Sequence, residues 1–250
     1  MKKKILLFLL VAILGLTACA NKEEDDNKIE GIDKYFSKYE EATIVSVNEN
    51  NILVLKNDQE NPALVEINTN NSKIYLDKKE ASRKDLLEGM IVKLDFSGPM
   101  MMSYPGKINS EYILAKSLKP NQINDKIGFY VQVVIDIIKD EKTLSDQIKS
   151  IALNLDDAPV KLNEGEKNAL EYKLKDSLQK EILFTDSKKI DEKELEDTLL
   201  ITFNSNDKEE RKSDISFKIK VERSGETIKK FDSVIADWDE KGVLKKIEYK

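Results

Sequence analysis

Short alternating segments separated by asparagine-rich breaks run through the chain from residue 41 to residue 118. In ATIVSVNEN, Ile44 and Ser46 alternate with Val45 and Val47, and the polar break NENN follows. Such alternation, bounded by Asn, Gly and Asp clusters, is typical of half-buried β-strands. Four further segments share the pattern, namely ILVLKN, ALVEINTN, MIVKLDF and EYILAKSL.

A polar segment, DKKEASRKDLLEG, interrupts these strands after the third one and ends at Gly89. Its leucines, Leu86 and Leu87, predict a short helix or turn. Five strands with a helical break after the third fit a small, partly open β-barrel of the OB type. We therefore expect an OB-like β-barrel domain at 40–119.

The pattern changes near Lys119–Asn121, and this change predicts a second domain at 120–250. Most of its later half reads as an antiparallel meander, with strands in TLLITFN, ISFKIKV, KFDSVIADW and VLKKIEY. Helices that are separate from an antiparallel sheet give an α+β domain. The predicted fold class is thus mixed, with a small barrel followed by an α+β domain.

Two helices are expected in the second domain. Asn124 or Asp125 caps the first, which runs toward Asp140, although its many β-branched residues leave a strand open as the alternative. Asn163 and Glu166 have the spacing of a capping box at the start of the second helix. The leucines at 170, 174 and 178 then form its apolar stripe.

The beginning of the chain has the form of a secretory signal. Three lysines at 2–4 precede the apolar run Ile5–Leu14. This run is too short to cross a bilayer core, which needs about 20 apolar residues. The next residues, Leu16-Thr17-Ala18-Cys19, resemble the lipobox of bacterial lipoproteins. A plain secreted protein with a cysteine near its cleavage site is the alternative.

The lipobox resemblance implies that the Cys19 thiol takes a diacylglyceryl group and that the signal peptide, 1–18, is removed. Two acyl chains suffice for stable membrane anchoring, whereas one gives marginal binding. Asn21–Asp33 is polar and mostly acidic, so the lipidated N-terminus and the residues that follow it, 19–39, are expected to form a flexible tether. The protein is then expected on the outer face of the cell membrane, and the abundance of Lys, Asn and Ile suggests a Gram-positive source.

Composition excludes several classes of function. The chain has no histidine and a single cysteine, so Ser-His-Asp catalysis, Cys-His catalysis, disulfides and conventional zinc sites are excluded. Removing the three lysines of residues 1–18 leaves 38 basic residues against 47 acidic ones, a net charge of about −9. This balance opposes nucleic-acid binding, which needs a basic surface. We expect no cofactor and no metal.

The stretch FSGPMMMSYPGKI, residues 96–108, resembles the YobA-like lipoprotein family, a domain of unknown function. The matching positions are Gly98, Pro99, Ser103, Tyr104, Pro105 and Ile108. The resemblance implies an OB-like barrel on a surface lipoprotein, without a known activity. The second domain resembles the companion region of that family only weakly, since Glu222 stands where a tryptophan is expected.

The same stretch contains the candidate contact residues, which we call the lip: Met100, Met101, Met102 and Tyr104. Methionines adapt to varied apolar partners, and the neighbouring prolines stiffen the segment, which lowers the entropy cost of binding. The lip is therefore a candidate contact for a ligand or partner. The alternative is that these side chains close the barrel end or contact the second domain.

The string DWDEKGVLKKIE, 237–248, is similar to a calcium-binding EF-hand loop. Lys241, however, replaces a ligand with a positive charge, and a hairpin turn at 240–242 explains the string with fewer assumptions.

The function that these observations predict is a non-catalytic binding or interaction module of the cell envelope, anchored in the membrane through its N-terminal lipid. The partner would be another envelope protein, a peptide or a wall glycan. The alternative is a carboxylate- or lysine-dependent hydrolase that acts on cell-wall polymers. No nucleophile motif supports this alternative, and no catalytic residue is assigned.

Overall fold

A computed structural model describes most of the chain after the predicted tether. The described residues are 39–58, 62–96, 101, 103–120, 123–140, 147–185, 197–205 and 214–250. They fall within one compact unit, 38–250. Cys19, Met100 and Met102 lie outside the described residues. The predicted boundary between 40–119 and 120–250 stays a prediction.

The first sheet contains eight short strands and curls around its own core. The strands are β1 (Glu40–Val47), β2 (Asn51–Lys56), β3 (Leu64–Asn68), β4 (Lys73–Leu76), β5 (Lys79–Ala81), β6 (Ile91–Leu94), β7 (Gly106–Asn109) and β8 (Tyr112–Ala115). Their order across the sheet is β5-β4-β8-β6-β1-β2-β3-β7. β7 runs parallel to β3 and β8 runs parallel to β4, while the other pairs are antiparallel.

The predicted helical break, 77–89, contains a two-residue turn, the short strand β5 and one 3₁₀ turn. β4 and β5 form a hairpin whose turn residues, Asp77 and Lys78, both have positive φ, as a two-residue turn of type I′ requires. Only a single 3₁₀ turn, Arg83–Asp85, follows, and the Asp85 side chain accepts a hydrogen bond from the Ser82 backbone N–H at 2.8 Å. The prediction of five strands was therefore wrong in number, because β4 precedes this segment, β5 lies within it and β7 follows the lip region.

Alternation along the strands gives the first sheet two apolar faces. One face packs inside the curl and includes Ile44, Ile52, Val54, Val65, Ile67, Val92, Leu94 and Ile113. The outer face carries Val45, Leu53, Leu55 and Leu64, which belong to the larger core of the second half of the chain. Apolar side chains on both faces explain why β2 reads as an almost continuous hydrophobic run.

The second half of the chain contains a six-stranded sheet and two helices. The elements are α1 (Lys126–Asp140), β9 (Ser150–Asp157), α2 (Glu164–Leu178), β10 (Glu181–Phe184), β11 (Thr198–Ser205), β12 (Asp214–Arg223), β13 (Glu226–Trp238) and β14 (Leu244–Tyr249). The strand order is β10-β9-β11-β12-β13-β14. β9 runs parallel to both β10 and β11, and the last four strands form the predicted antiparallel meander.

Both predicted helices are present. Asp125 caps α1, because its Oδ1 accepts a hydrogen bond from the Gly128 N–H at 2.7 Å. The strand alternative for this segment is wrong: Phe129, Tyr130, Val133, Val134 and Ile137 form a helical face that is fully buried. The capping box of α2 is confirmed, since Asn163 and Glu166 exchange two hydrogen bonds of 2.8 Å.

The hairpin interpretation of 237–248 is also confirmed. β13 and β14 pair antiparallel on either side of the turn. The Asp239 carboxylate accepts the backbone N–H groups of Lys241 at 2.8 Å and of Val243 at 2.9 Å, so it stabilises the turn itself.

Candidate functional site

A polar cleft lies on the outer face of the first sheet, beside the apolar residues that α2 covers. Its volume is about 500 Å³, and it is lined by Asn51, Glu66, Asn68, Met101, Lys107, Ile108 and Asn109. These residues come from β2, β3, β7 and the lip. On β2 and β3 this face changes from apolar to polar along the strand, and the helix covers the apolar part.

Strand register places three asparagines of the cleft in one row, which we call the asparagine row. Asn51 on β2 pairs with Asn68 on β3, and Asn68 pairs with Asn109 on β7. Neighbouring strands lie about 4.8 Å apart, so the row spans about 10 Å. Each amide both donates and accepts hydrogen bonds. Asn51 donates to Glu66 and the Asn68 Oδ1 accepts the Asn70 N–H at 3.0 Å, and the other amide groups of the row form a neutral surface for hydrogen bonding.

A charged pair forms the next row of the same face. Glu66 pairs with Lys107 in the strand register, and its Oε2 lies 3.2 Å from the Lys107 Nζ. The other oxygen, Oε1, accepts a hydrogen bond from the Asn51 amide. Because both oxygens of Glu66 have partners, its charge is compensated inside the cleft.

Met101 and Tyr104 are the members of the lip that the structure describes. The Met101 N–H donates to the Lys107 carbonyl at 3.0 Å, so the lip pairs with the free edge of β7. Met101 is 65% exposed and Tyr104 is 69% exposed. The Tyr104 ring nevertheless meets the Tyr172 ring of α2 edge-on, with centroids 6.0 Å apart. Tyr104 therefore contacts the helix and still presents most of its surface to solvent.

A second cavity of about 270 Å³ adjoins the cleft, and Glu66 lines both. Its wall includes Pro105 from the lip region and Tyr172, Lys173, Asp176 and Ser177 from α2. Burial raises the pKa of the Tyr172 hydroxyl, and the nearby carboxylates of Asp176 and Glu66 raise it further. The hydroxyl therefore stays protonated at neutral pH and remains a hydrogen-bond donor.

Lys173, in the wall of the second cavity, connects α2 to the first sheet. Its ammonium group donates to the Val45 carbonyl at 2.8 Å and to Glu88 Oε2 at 3.0 Å. Glu88 in turn hydrogen-bonds with the side chain of Asp125, the cap of α1. Burial, together with the Glu88 charge, raises the pKa of Asp125 from 3.8 to about 6. This cluster links β1, the segment after the 3₁₀ turn and both helices.

Most carboxylates that line the second cavity are paired with lysines. Three carboxylates, of Glu66, Glu88 and Asp176, line this cavity, and the first two are each paired with a lysine at 3.0–3.2 Å. A general acid in a glycosidase needs a raised pKa within the cleft. The carboxyl with a pKa raised to about 6 is that of Asp125, which is half-buried and is not among the residues that line either cavity. Among the described residues, no cluster of three or more acidic side chains has the geometry to hold a metal ion.

Sequence reasoning identified the lip but missed most of the cleft. The asparagines were read only as strand breaks, and neither Glu66 nor Lys173 was singled out. The sequence did contain a signal for the cleft. Asn51 lies on the same side of its strand as Leu53, and Asn68 on the same side as Leu64, so each asparagine is a polar residue on an otherwise apolar face.

No protein-family model matches the sequence, and no curated protein matches it significantly. The resemblances to lipoproteins and to the YobA-like family therefore stay predictions that rest on the motifs quoted above. In the part of the chain that the structure describes, neither helix is long and apolar enough to span a membrane.

Proposed function

We propose that this protein is a lipid-anchored lipoprotein of the cell envelope, which acts as a non-catalytic binding module on the extracytoplasmic face. The lipobox around Cys19 and the polar segment after it support the location. The observation that carries the binding function is the polar cleft with its exposed lip. An exposed methionine and an exposed tyrosine beside a cleft of about 500 Å³ offer adaptable apolar contacts next to fixed polar groups.

An OB-like topology for the first sheet is part of this proposal. Its support is the pairing of β1 with both β2 and β6, and of β3–β4 with β7–β8 in parallel. Only Ser110 and Glu111 separate β7, at one end of the sheet, from β8, which lies between β4 and β6 near the other end. OB folds bind ligands on their second and third strands and on the loop before the last strand. The cleft lies on β2, β3 and the lip, the corresponding places in this chain.

Photo-crosslinking on living cells tests the binding function. A photoreactive residue replaces Met101 in the full-length protein, and the matched control carries it at Ile228, an exposed apolar position on the meander. We expect a discrete crosslinked species at position 101 and none at position 228, with the captured molecule identified by mass spectrometry. Capture at 228 but not at 101 would mean that binding belongs to the meander and not to the cleft.

A further inference from the structure

We infer that the cleft binds a neutral, hydroxyl-rich polymer, namely an oligosaccharide. This inference rests on the proposed binding function and names the ligand class of the same site. The starting observation is the asparagine row, Asn51, Asn68 and Asn109, which crosses three strands in register. Sugar hydroxyls both donate and accept hydrogen bonds, and a carboxamide offers the same two capacities.

The length of the row sets the size of the ligand. It spans about 10 Å across three strands. A single sugar ring would contact only part of such a row. The adjoining cavity extends the surface from Glu66 to Tyr172 on α2. A chain of several sugar units is therefore the ligand that makes use of the whole surface.

Charge selects against acidic polymers. The described residues that line the two cavities include three carboxylates, of Glu66, Glu88 and Asp176, and two lysines, Lys107 and Lys173. Both lysines are paired with carboxylates from this set, Lys107 with Glu66 and Lys173 with Glu88. A polyanion would thus find no uncompensated lysine in this set, and the whole chain has a net charge of −6. Binding of an acidic polymer depends on such cations.

Backbone pairing selects against an added peptide strand. A peptide that extends a sheet needs unpaired N–H and C=O groups along an edge strand. On β7 the Lys107 carbonyl is already bonded to the Met101 N–H at 3.0 Å, so the lip occupies part of that edge. A groove for an amphipathic helix would instead be apolar, whereas this cleft is lined by asparagines and an ion pair.

The aromatic side chains complete the surface. Tyr104 and Tyr172 meet edge-on where the lip contacts α2. Tyrosine combines an apolar ring with a hydroxyl that donates a hydrogen bond. The apolar face of a sugar ring packs against such a ring while its hydroxyls reach the polar row.

Calorimetry on the full-length protein in detergent micelles tests the inference. The probes are the β-1,4-linked hexamers of N-acetylglucosamine and of glucose, with polyphosphate as the acidic polymer. We expect at least one hexamer to bind, with an affinity that changes little between about 50 and 200 mM salt. The variant Asn109→Ala, on an exposed strand end, is expected to weaken binding roughly 3- to 10-fold, the effect of one lost hydrogen bond.

The matched control is Asn57→Ala, an exposed asparagine just beyond the opposite end of β2, which is expected to bind like the unaltered protein. Equal weakening by both variants, or binding of polyphosphate alone, would overturn the inference. Failure of both hexamers, combined with capture of a protein by the Met101 crosslinker, would also overturn it but would leave the binding function intact. Failure of both hexamers to bind, together with no crosslinked species at position 101, would overturn both proposals.

Discussion

The ammonium group of Lys173 on α2 donates a hydrogen bond to the backbone carbonyl of Val45 on β1 at 2.8 Å. Val45 lies where the pairing of β1 with β2 shifts register, so this carbonyl is directed out of the ladder. The same ammonium group lies 3.0 Å from Glu88 Oε2. One lysine therefore satisfies a backbone acceptor and compensates a carboxylate at the junction between the first sheet and the helices.

Replacing Lys173 with methionine is expected to lower the free energy of unfolding by about 1–3 kcal/mol, the cost of leaving a buried acceptor without a partner. Methionine keeps the apolar stem, so the change isolates the charge. The control is Lys175→Met, because Lys175 is 48% exposed and pairs with Glu171 only on the helix surface. The control is expected to lose less than about 0.5 kcal/mol. Equal losses of unfolding free energy in urea denaturation would mean that the contacts of Lys173 with Val45 and Glu88 stabilise the protein no more than a surface ion pair does.

Asp125 gives the stability of the protein a dependence on pH. Burial and the charge of Glu88 raise its pKa from 3.8 in the unfolded chain to about 6 in the folded protein. The folded state therefore binds the proton more tightly, and this contribution to stability is complete below pH 3.8 and is lost as pH rises through about 6. The difference between the two values corresponds to roughly 3 kcal/mol.

The variant Asp125→Asn tests this dependence, because asparagine keeps the oxygen that caps α1 but does not ionise. Relative to the unaltered protein, we expect the variant to gain about 2–3 kcal/mol of stability between pH 4 and pH 7. Glu88→Gln removes the neighbouring charge and keeps Asp125. In this variant the decline of stability with pH should occur at lower pH than in the unaltered protein. Urea unfolding curves at a series of pH values measure both effects. Parallel stability profiles for all three proteins would contradict the assignment.

Gly89 is expected to tolerate no side chain. Its φ is +83°, and a Cβ there would lie 2.5 Å from the backbone carbonyl of Asn124. Gly89→Ala should therefore cost about 3 kcal/mol or more, from left-handed strain and from displacement of the segment that leads into α1. Gly225→Ala is the control, since its φ is +79° but nothing lies within 4 Å of the added Cβ. Strain alone should cost the control about 1–2 kcal/mol in thermal unfolding. A similar loss in both variants would mean that the close approach is easily relieved.

Local signals predicted the helices of this fold well. The capping box at Asn163 and Glu166 depends on residues three positions apart, and both of its hydrogen bonds are present. The β4–β5 hairpin was missed because its turn, Asp77-Lys78, lacks the glycine that usually marks two residues with positive φ. A lysine in that conformation gives no signal in the sequence.

The cleft was harder to predict because it depends on register between distant strands. Asn68 and Asn109 become neighbours only when β7 pairs in parallel with β3, and no local pattern specifies this pairing. The lip was predicted from its composition alone, and the structure places Met101 on the cleft. The lip contacts α2 through Tyr104 and Tyr172. This contact depends on how the helix packs, and the sequence of the lip does not specify that packing.

The lipid anchor is predicted to depend on Cys19 alone, because it is the single cysteine of the chain. In a cell fractionation experiment, the unaltered protein should sediment with membranes and Cys19→Ser should remain in the soluble fraction. If the signal stays attached to the variant, its apolar run Ile5–Leu14 is still shorter than the roughly 20 residues that a membrane span needs.

Mass spectrometry of the mature protein provides the second readout, with loss of residues 1–18 and a mass gain on Cys19 that matches a diacylglyceryl group. Two acyl chains bind a bilayer stably, whereas a chain of this acidity gains nothing from anionic lipid. With the net charge of the predicted mature chain, the proposed lipid is the expected source of membrane affinity. Membrane association of Cys19→Ser that survives an alkaline wash would contradict the lipobox interpretation and with it the proposed location of the cleft.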